Sequence, residues 1–238
     1  MLRVSVEEKV VQPFVMREVH VRKVWEVLTR TMGVVRVRAE CLDGLSRSVD
    51  SLVELLSYDN RRGRAIVSLS FRAHSPERNA HCTITYARNL QRPIEISCEG
   101  EEESISTLRR ELRDINEAMR PWYASVAQLD IAALTIGGGI LLVIALVSAR
   151  ALGWVPVPPK TAISEAEKSI QSAKIFGLIL LGLVGLGILN STRDRVFPAG
   201  EFTLGEGEER YEVNEKIRWA VVIGFLVSLA ASVVVLAV

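Results

Sequence analysis

Cysteine is scarce in this chain: Cys41, Cys82 and Cys98 are the whole supply in 238 residues. Their number is odd and no two stand in CxxC spacing. That excludes a disulfide framework and a cysteine zinc site, and predicts three reduced, half-buried strand residues in a cytosolic setting. Histidine is equally sparse. His20, His74 and His81 have neither an HExxH frame nor cysteine company, so no metal is expected. The sequence also lacks GxxxxGK[ST], GxSxG and a GxGxxG set between a strand and a helix. Without such a constellation no catalytic residue, no cofactor and no enzymatic activity is expected. No signal peptide is expected either, because MLRVSVEEKVVQPF carries charges where an apolar core is required.

Charge is absent from three stretches, 131–149, 175–192 and 219–238. A helix of the first length is about 28 Å long, close to the ~30 Å of bilayer hydrocarbon. The expectation is an all-α membrane domain over 126–238, with spans at about 129–150, 172–192 and 217–238. Lysine and arginine in the flanking loops place the N-terminus and the second loop inside and the C-terminus outside. The runs hold no Asp, Glu, Lys, Arg or His, which argues against a proton relay or an ion-coupled transporter. Thr135, Ser148, Asn190, Thr192, Ser228 and Ser232 are the pore-lining candidates if copies assemble around an axis. The plainer reading bonds such hydroxyls back to their own helix. Residues 193–218, with Phe197, Phe202, Tyr211 and Trp219 among turn residues, predict a compact hairpin-like piece.

Residues 1–125 predict a cytosolic α+β domain, an antiparallel sheet of about four strands with three helices. Helical spacing marks 16–32, 46–58 and 101–120, and alternation marks strands at 34–42, 64–74, 80–88 and 93–98. Alternation puts Val35, Val37, Ala39 and Cys41 on the inner face with Ala65, Val67, Leu69 and Phe71. Arg36, Arg38, Arg64, Arg72, His74 and His81 then fall on the outer face among serines and threonines. Arg61, Arg62 and Arg88, with Arg78 and Arg92, lie near strand ends or turns. Lysine is nearly missing here: residues 1–120 contain eighteen Arg and two Lys. Arginine beside hydroxyls suits phosphate held by two parallel hydrogen bonds. The plain alternative is a solvated polar face with an arginine excess set by codon composition. Glu40, Glu95, Glu99 and the acids at 101–103 keep the net charge small, which favours a nucleotide or short oligonucleotide over a long duplex. The 3-4 spacing of the last helix continues through Trp122, Val126 and Leu129 towards the first apolar run, with Pro121 interrupting it.

The layout, an arginine-rich domain ahead of charge-free runs, with FPAGEF, LGEGEERYE and EKIRW before the last run, resembles membrane effectors of bacterial antiphage nucleotide-signalling operons. The Hailong protein A family is the nearest in layout. The resemblance implies a crown-like ligand-binding domain on a homo-oligomeric ion channel, taken as a tetramer, in the bacterial inner membrane. It implies a short single-stranded DNA or nucleotide signal, made by a partner nucleotidyltransferase, that represses opening. Opening would arrest growth as antiviral defence. A different class of answer is a membrane-anchored protein-interaction scaffold of the cell envelope with no pore.

Overall fold

Alternating apolar and polar residues build the larger sheet. In the computed structural model, which describes residues 2–77, 79–89, 93–129 and 193–237 with Ala133, Gly137, Ser148 and Ser191, six strands share it. These are β1 (Arg3–Val10), β3 (Val34–Cys41), β4 (Ser46–Val49), β5 (Ile66–Ser75), β6 (Ala80–Ala87) and β7 (Ile94–Glu101). They run antiparallel in the order β1-β7-β6-β5-β3-β4. A second sheet pairs β2 (Phe14–Arg17) with β8 (Gly200–Thr203) in parallel. The helices are α1 (Glu18–Met32), α2 (Leu52–Leu56), α3 (Glu102–Ala118), α4 (Ala124–Ala127) and α5 (Gly207–Ala237). Residues 1–128 with 196–238 form one compact unit and 129–195 a second.

One face of the six-stranded sheet is covered by α1 and α3. Val21, Val24, Leu28 and Met32 of α1 meet Val37, Leu69, Phe71 and Ile84 in a single buried cluster. Ile105, Leu108, Leu112 and Ile115 of α3 complete it, at the helical spacing the sequence predicts. Phe14 and Met16 of β2 and Phe202 of β8 are fully buried in the same cluster. Asn60 ties the smaller sheet down. Its Nδ2 donates to the carbonyls of Phe202 and Leu204 at 3.0 and 3.1 Å, and its Oδ1 accepts the Ile66 N–H at 2.8 Å. Gly205 follows with φ +50°, where a Cβ would stand 2.7 Å from the carbonyl oxygens of Tyr58 and Asp59, so only glycine fits.

A buried cation fixes α5 to this body. Arg218 is completely buried, and its Nη2 and Nη1 donate to Glu201 at 2.7 Å and Glu215 at 3.0 Å. Its Nε donates to the Val196 carbonyl at 2.6 Å, and its guanidinium lies 4.5 Å over the Tyr123 ring and 5.2 Å over Tyr211. Burial pushes the Tyr123 phenol above its ordinary range. Nearby, Trp122 stacks on Trp219 at 4.9 Å.

The expected sheet of about four strands therefore has six, beside a two-stranded one. Strand β4 and helix α2 replace the single helix expected over 46–58. Ser46–Val49 is pulled into the sheet by a tight turn at Gly44 (φ +76°) and by the Arg47–Asp43 ion pair at 2.6 Å. Arg47 holds the Asp43 carboxyl down at about 2 by hydrogen bonding. Cys82 and Cys98 face each other directly across β6 and β7 and are joined in a disulfide, leaving Cys41 as the free thiol. The expectation of three reduced cysteines is corrected, and with it the argument from cysteine for a cytosolic setting.

The all-α domain of three transmembrane helices is corrected as well. Among the described residues, no helix is long and apolar enough to cross a membrane. The run at 219–238 continues a helix that starts at Gly207, whose charged first half packs on β8 through Arg218. The runs at 131–149 and 175–192 lie outside the described residues save for Ala133, Gly137, Ser148 and Ser191. In place of a hairpin-like piece, residues 200–218 supply β8 and the start of α5.

Candidate phosphate-binding face

The sheet face away from α1 and α3 is open to solvent. Strand register lays its side chains in rows. One row crosses the sheet as Glu7, Ser97, Thr83, Arg72 and Arg36, each opposite the next. Beside it run Lys9, Glu95, Thr85, Ser70, Arg38 and Ser48. On the other side His81 stands opposite His74. Five of the predicted residues, Arg36, Arg38, Arg72, His74 and His81, thus share one exposed patch on β3, β5 and β6.

Two like charges directly opposite each other destabilise a sheet pair. Arg36 and Arg72 are such a pair, on strands about 4.8 Å apart. Little in the chain relieves them. Arg36 Nε lies 3.6 Å from Asp50, with both groups well exposed. Arg72 has no ion pair among the described residues. Arg38 donates to the Ser46 hydroxyl at 3.0 Å, and Ser70 and Thr85 share a hydrogen bond at 3.1 Å. His81 is 3.9 Å from Glu99. Charge is unevenly spread over the face, with Glu95 and Glu99 on β7, Arg3, Glu7 and Lys9 mixed on β1, and Arg36, Arg38 and Arg72 on β3 and β5 beside Glu40. A phosphate seated between Arg36 and Arg72 would receive two planar forks, with the Ser70 and Thr83 hydroxyls alongside.

The other predicted residues lie elsewhere. Arg64 belongs to the short turn Arg62–Arg64 ahead of β5, because a bulge at Glu40/Cys41 brings Ile66 opposite Cys41. Ala65 is buried as expected, but Ile66 is fully buried while Val67 is not, so the inner position expected at Val67 passes to Ile66. Arg61 is engaged by Asp59 at 3.3 Å and Glu206 at 3.4 Å. Arg88 follows the end of β6 with its guanidinium 5.9 Å over the Phe202 ring. Arg61, Arg62, Arg64 and Arg88 therefore sit at one end of the sheet, opposite the end where His74 meets His81. Arg78 and Arg92 are outside the described residues.

Compared with protein-family models, curated proteins and solved structures, the chain finds no match.

Of the pore-lining candidates, Thr135, Asn190 and Thr192 are outside the described residues. Ser148 is an exposed helical residue, Ser232 lies within α5, and the Ser228 hydroxyl donates back to the Gly224 carbonyl at 2.8 Å. Sequence reasoning missed two features. One is the Arg218 hub, whose partners Tyr123, Val196 and Glu201 come from three segments outside its own helix. The other is a groove beside β1 lined by Arg109, Arg110 and Arg113.

Proposed function

We propose that the chain is a ligand-binding effector whose open sheet face holds a short, phosphate-bearing ligand, a nucleotide or short single-stranded DNA. The observation that carries this reading is the pair Arg36 and Arg72, set opposite each other on an exposed face beside His74 and His81, with an exposed Asp50 beside Arg36 and no ion pair for Arg72 among the described residues. An anion between them turns a repulsion into an attraction. Glu95 and Glu99 on β7 limit the basic patch to a few phosphates.

The resemblance extends the proposal to a homo-oligomeric channel at a bacterial inner membrane, shut by its ligand and arresting growth on opening. No described helix supplies such a pore, so binding is the step that the geometry supports. The exposed apolar side chains Ile217, Val221, Ile223 and Val227 along α5 support an apolar neighbour for that helix.

Fluorescence anisotropy with a short labelled oligodeoxyadenylate tests the binding step. The double variant Arg36→Ala/Arg72→Ala should bind about tenfold more weakly or worse, and its salt slope should fall by roughly one. Arg64→Ala, off the face, should bind as the parent does. Equal affinity of parent and double variant would discard the reading, and a tight protein partner in its place would favour the scaffold.

A further inference from the structure

Two helices cannot cover six strands. At ~4.8 Å per strand the sheet is about 24 Å from first strand to last, while two helices of ~10 Å cover about 20 Å. The shortfall falls on β1, the edge strand under α3. Its inward residues Val4, Val6 and Val10 are only half-buried, whereas Ile94, Ile96 and Cys98 on the neighbouring β7 are buried. The gap is a groove of about 420 Å³ floored by Val4, Val6 and Ile105 and edged by Arg109, Arg110 and Arg113. A smaller pocket of about 130 Å³ continues along α3 and shares Arg109 and Arg113.

We propose that this groove is a second ligand site, for a phosphorylated small molecule with a flat apolar body, of which a nucleoside polyphosphate is the type. Its volume lies within the ~300–1,000 Å³ of small-molecule sites, and an apolar floor with a few charged groups is their usual make-up. Arg113 faces both Arg109 and Arg110 at (i, i+4) and (i, i+3) spacing on one helix, where like charges repel. Arg109 is held by Glu8 at 2.6 Å, but Arg113 is 3.7 Å from an exposed Glu117 and Arg110 has no acidic partner among the described residues. Arg110 and Arg113, one turn apart, are placed to grip a diphosphate while the floor takes the apolar body. Glu102 at one end, and Glu8 and Glu117 beside the smaller pocket, repel any longer polyanion that would run through. This site is on the helix side of the sheet and owes nothing to the open face.

Calorimetry on the full chain with ATP and with inorganic pyrophosphate tests it. With the open face silenced by Arg36→Ala/Arg72→Ala, ATP should bind at one per chain, about tenfold tighter than pyrophosphate because only ATP reaches the floor. In that background Arg110→Ala/Arg113→Ala, at exposed positions, should weaken both probes about tenfold. Val6→Ser should bring ATP down towards pyrophosphate and leave pyrophosphate unchanged. That ATP still binds to Arg36→Ala/Arg72→Ala separates this site from the open face. No ATP binding by the parent, equal affinity for the two probes, or insensitivity to Arg110→Ala/Arg113→Ala would each overturn it. Loss of ATP binding in Arg36→Ala/Arg72→Ala alone would do the same.

Discussion

A single arginine carries an unusual share of the polar burial. Each guanidinium nitrogen of Arg218 donates a hydrogen bond, to two carboxylates and a backbone carbonyl, and the Tyr123 and Tyr211 rings lie 4.5 and 5.2 Å from it. Removing one member of a buried ion pair leaves an uncompensated charge, which typically costs about 3–5 kcal/mol. Arg218→Met should therefore lower stability by about that amount in urea denaturation, because Glu201 stays buried without its cation. Adding Glu201→Gln should recover part of the loss. Arg218→Lys should also fail, since an ammonium has no planar fork to span Glu201, Glu215 and the Val196 carbonyl at once. In sequence Arg218 is one charge among several before an apolar run. Nothing local announces a residue whose partners stand 17 and 22 positions away.

The start of α1 shows how one element depends on pH. The Arg17 N–H donates to His20 Nδ1 at 3.2 Å, closing the first turn. Burial, and then the charge of Arg17, hold the His20 imidazole below its ordinary 6.5. A group whose folded pKa is depressed contributes stability that is whole above the unfolded value and lost as pH falls through the folded one. Protonation also takes away the acceptor. Arg17 amide protection, corrected for intrinsic exchange, should thus be full above about pH 6.5 and fall on acidification, while His20→Ala should lack that step. Of the elements with a strong period, α1, α3, β3, β6 and β7 were legible beforehand, whereas β1 was missed although Val4, Val6 and Val10 alternate along it. The four-residue strands β2, β4 and β8 were not legible, because so short a segment owes its conformation to the strand it pairs with. The bulge at Glu40/Cys41 hid for the same reason, and it carried Arg64 off the face while leaving Arg36 and Arg72 on it.

At the scale of the molecule, the two ends of the chain share one core. Phe202 and Leu204 are fully buried against Phe14 and Met16, so a chain ending at residue 128 forfeits both and leaves β2 unpaired. Deleting one buried Leu or Phe side chain costs about 2–5 kcal/mol, so that truncation should melt far below the full chain and bind a hydrophobic dye. A separate 196–238 fragment should restore its melting point; no response to the fragment would contradict a shared core. Reading by segments assigned residues 200–218 to a loop because hydropathy has no memory for contacts this far apart. The same distance sets a timetable. Met16 and Thr203 stand 187 residues apart, and at ~5–20 residues per second a ribosome takes about 10–40 s to make the stretch between them. Throughout that interval Phe14 and Met16 wait uncovered, and whatever becomes of residues 129–195 is under way before the head of the protein can close.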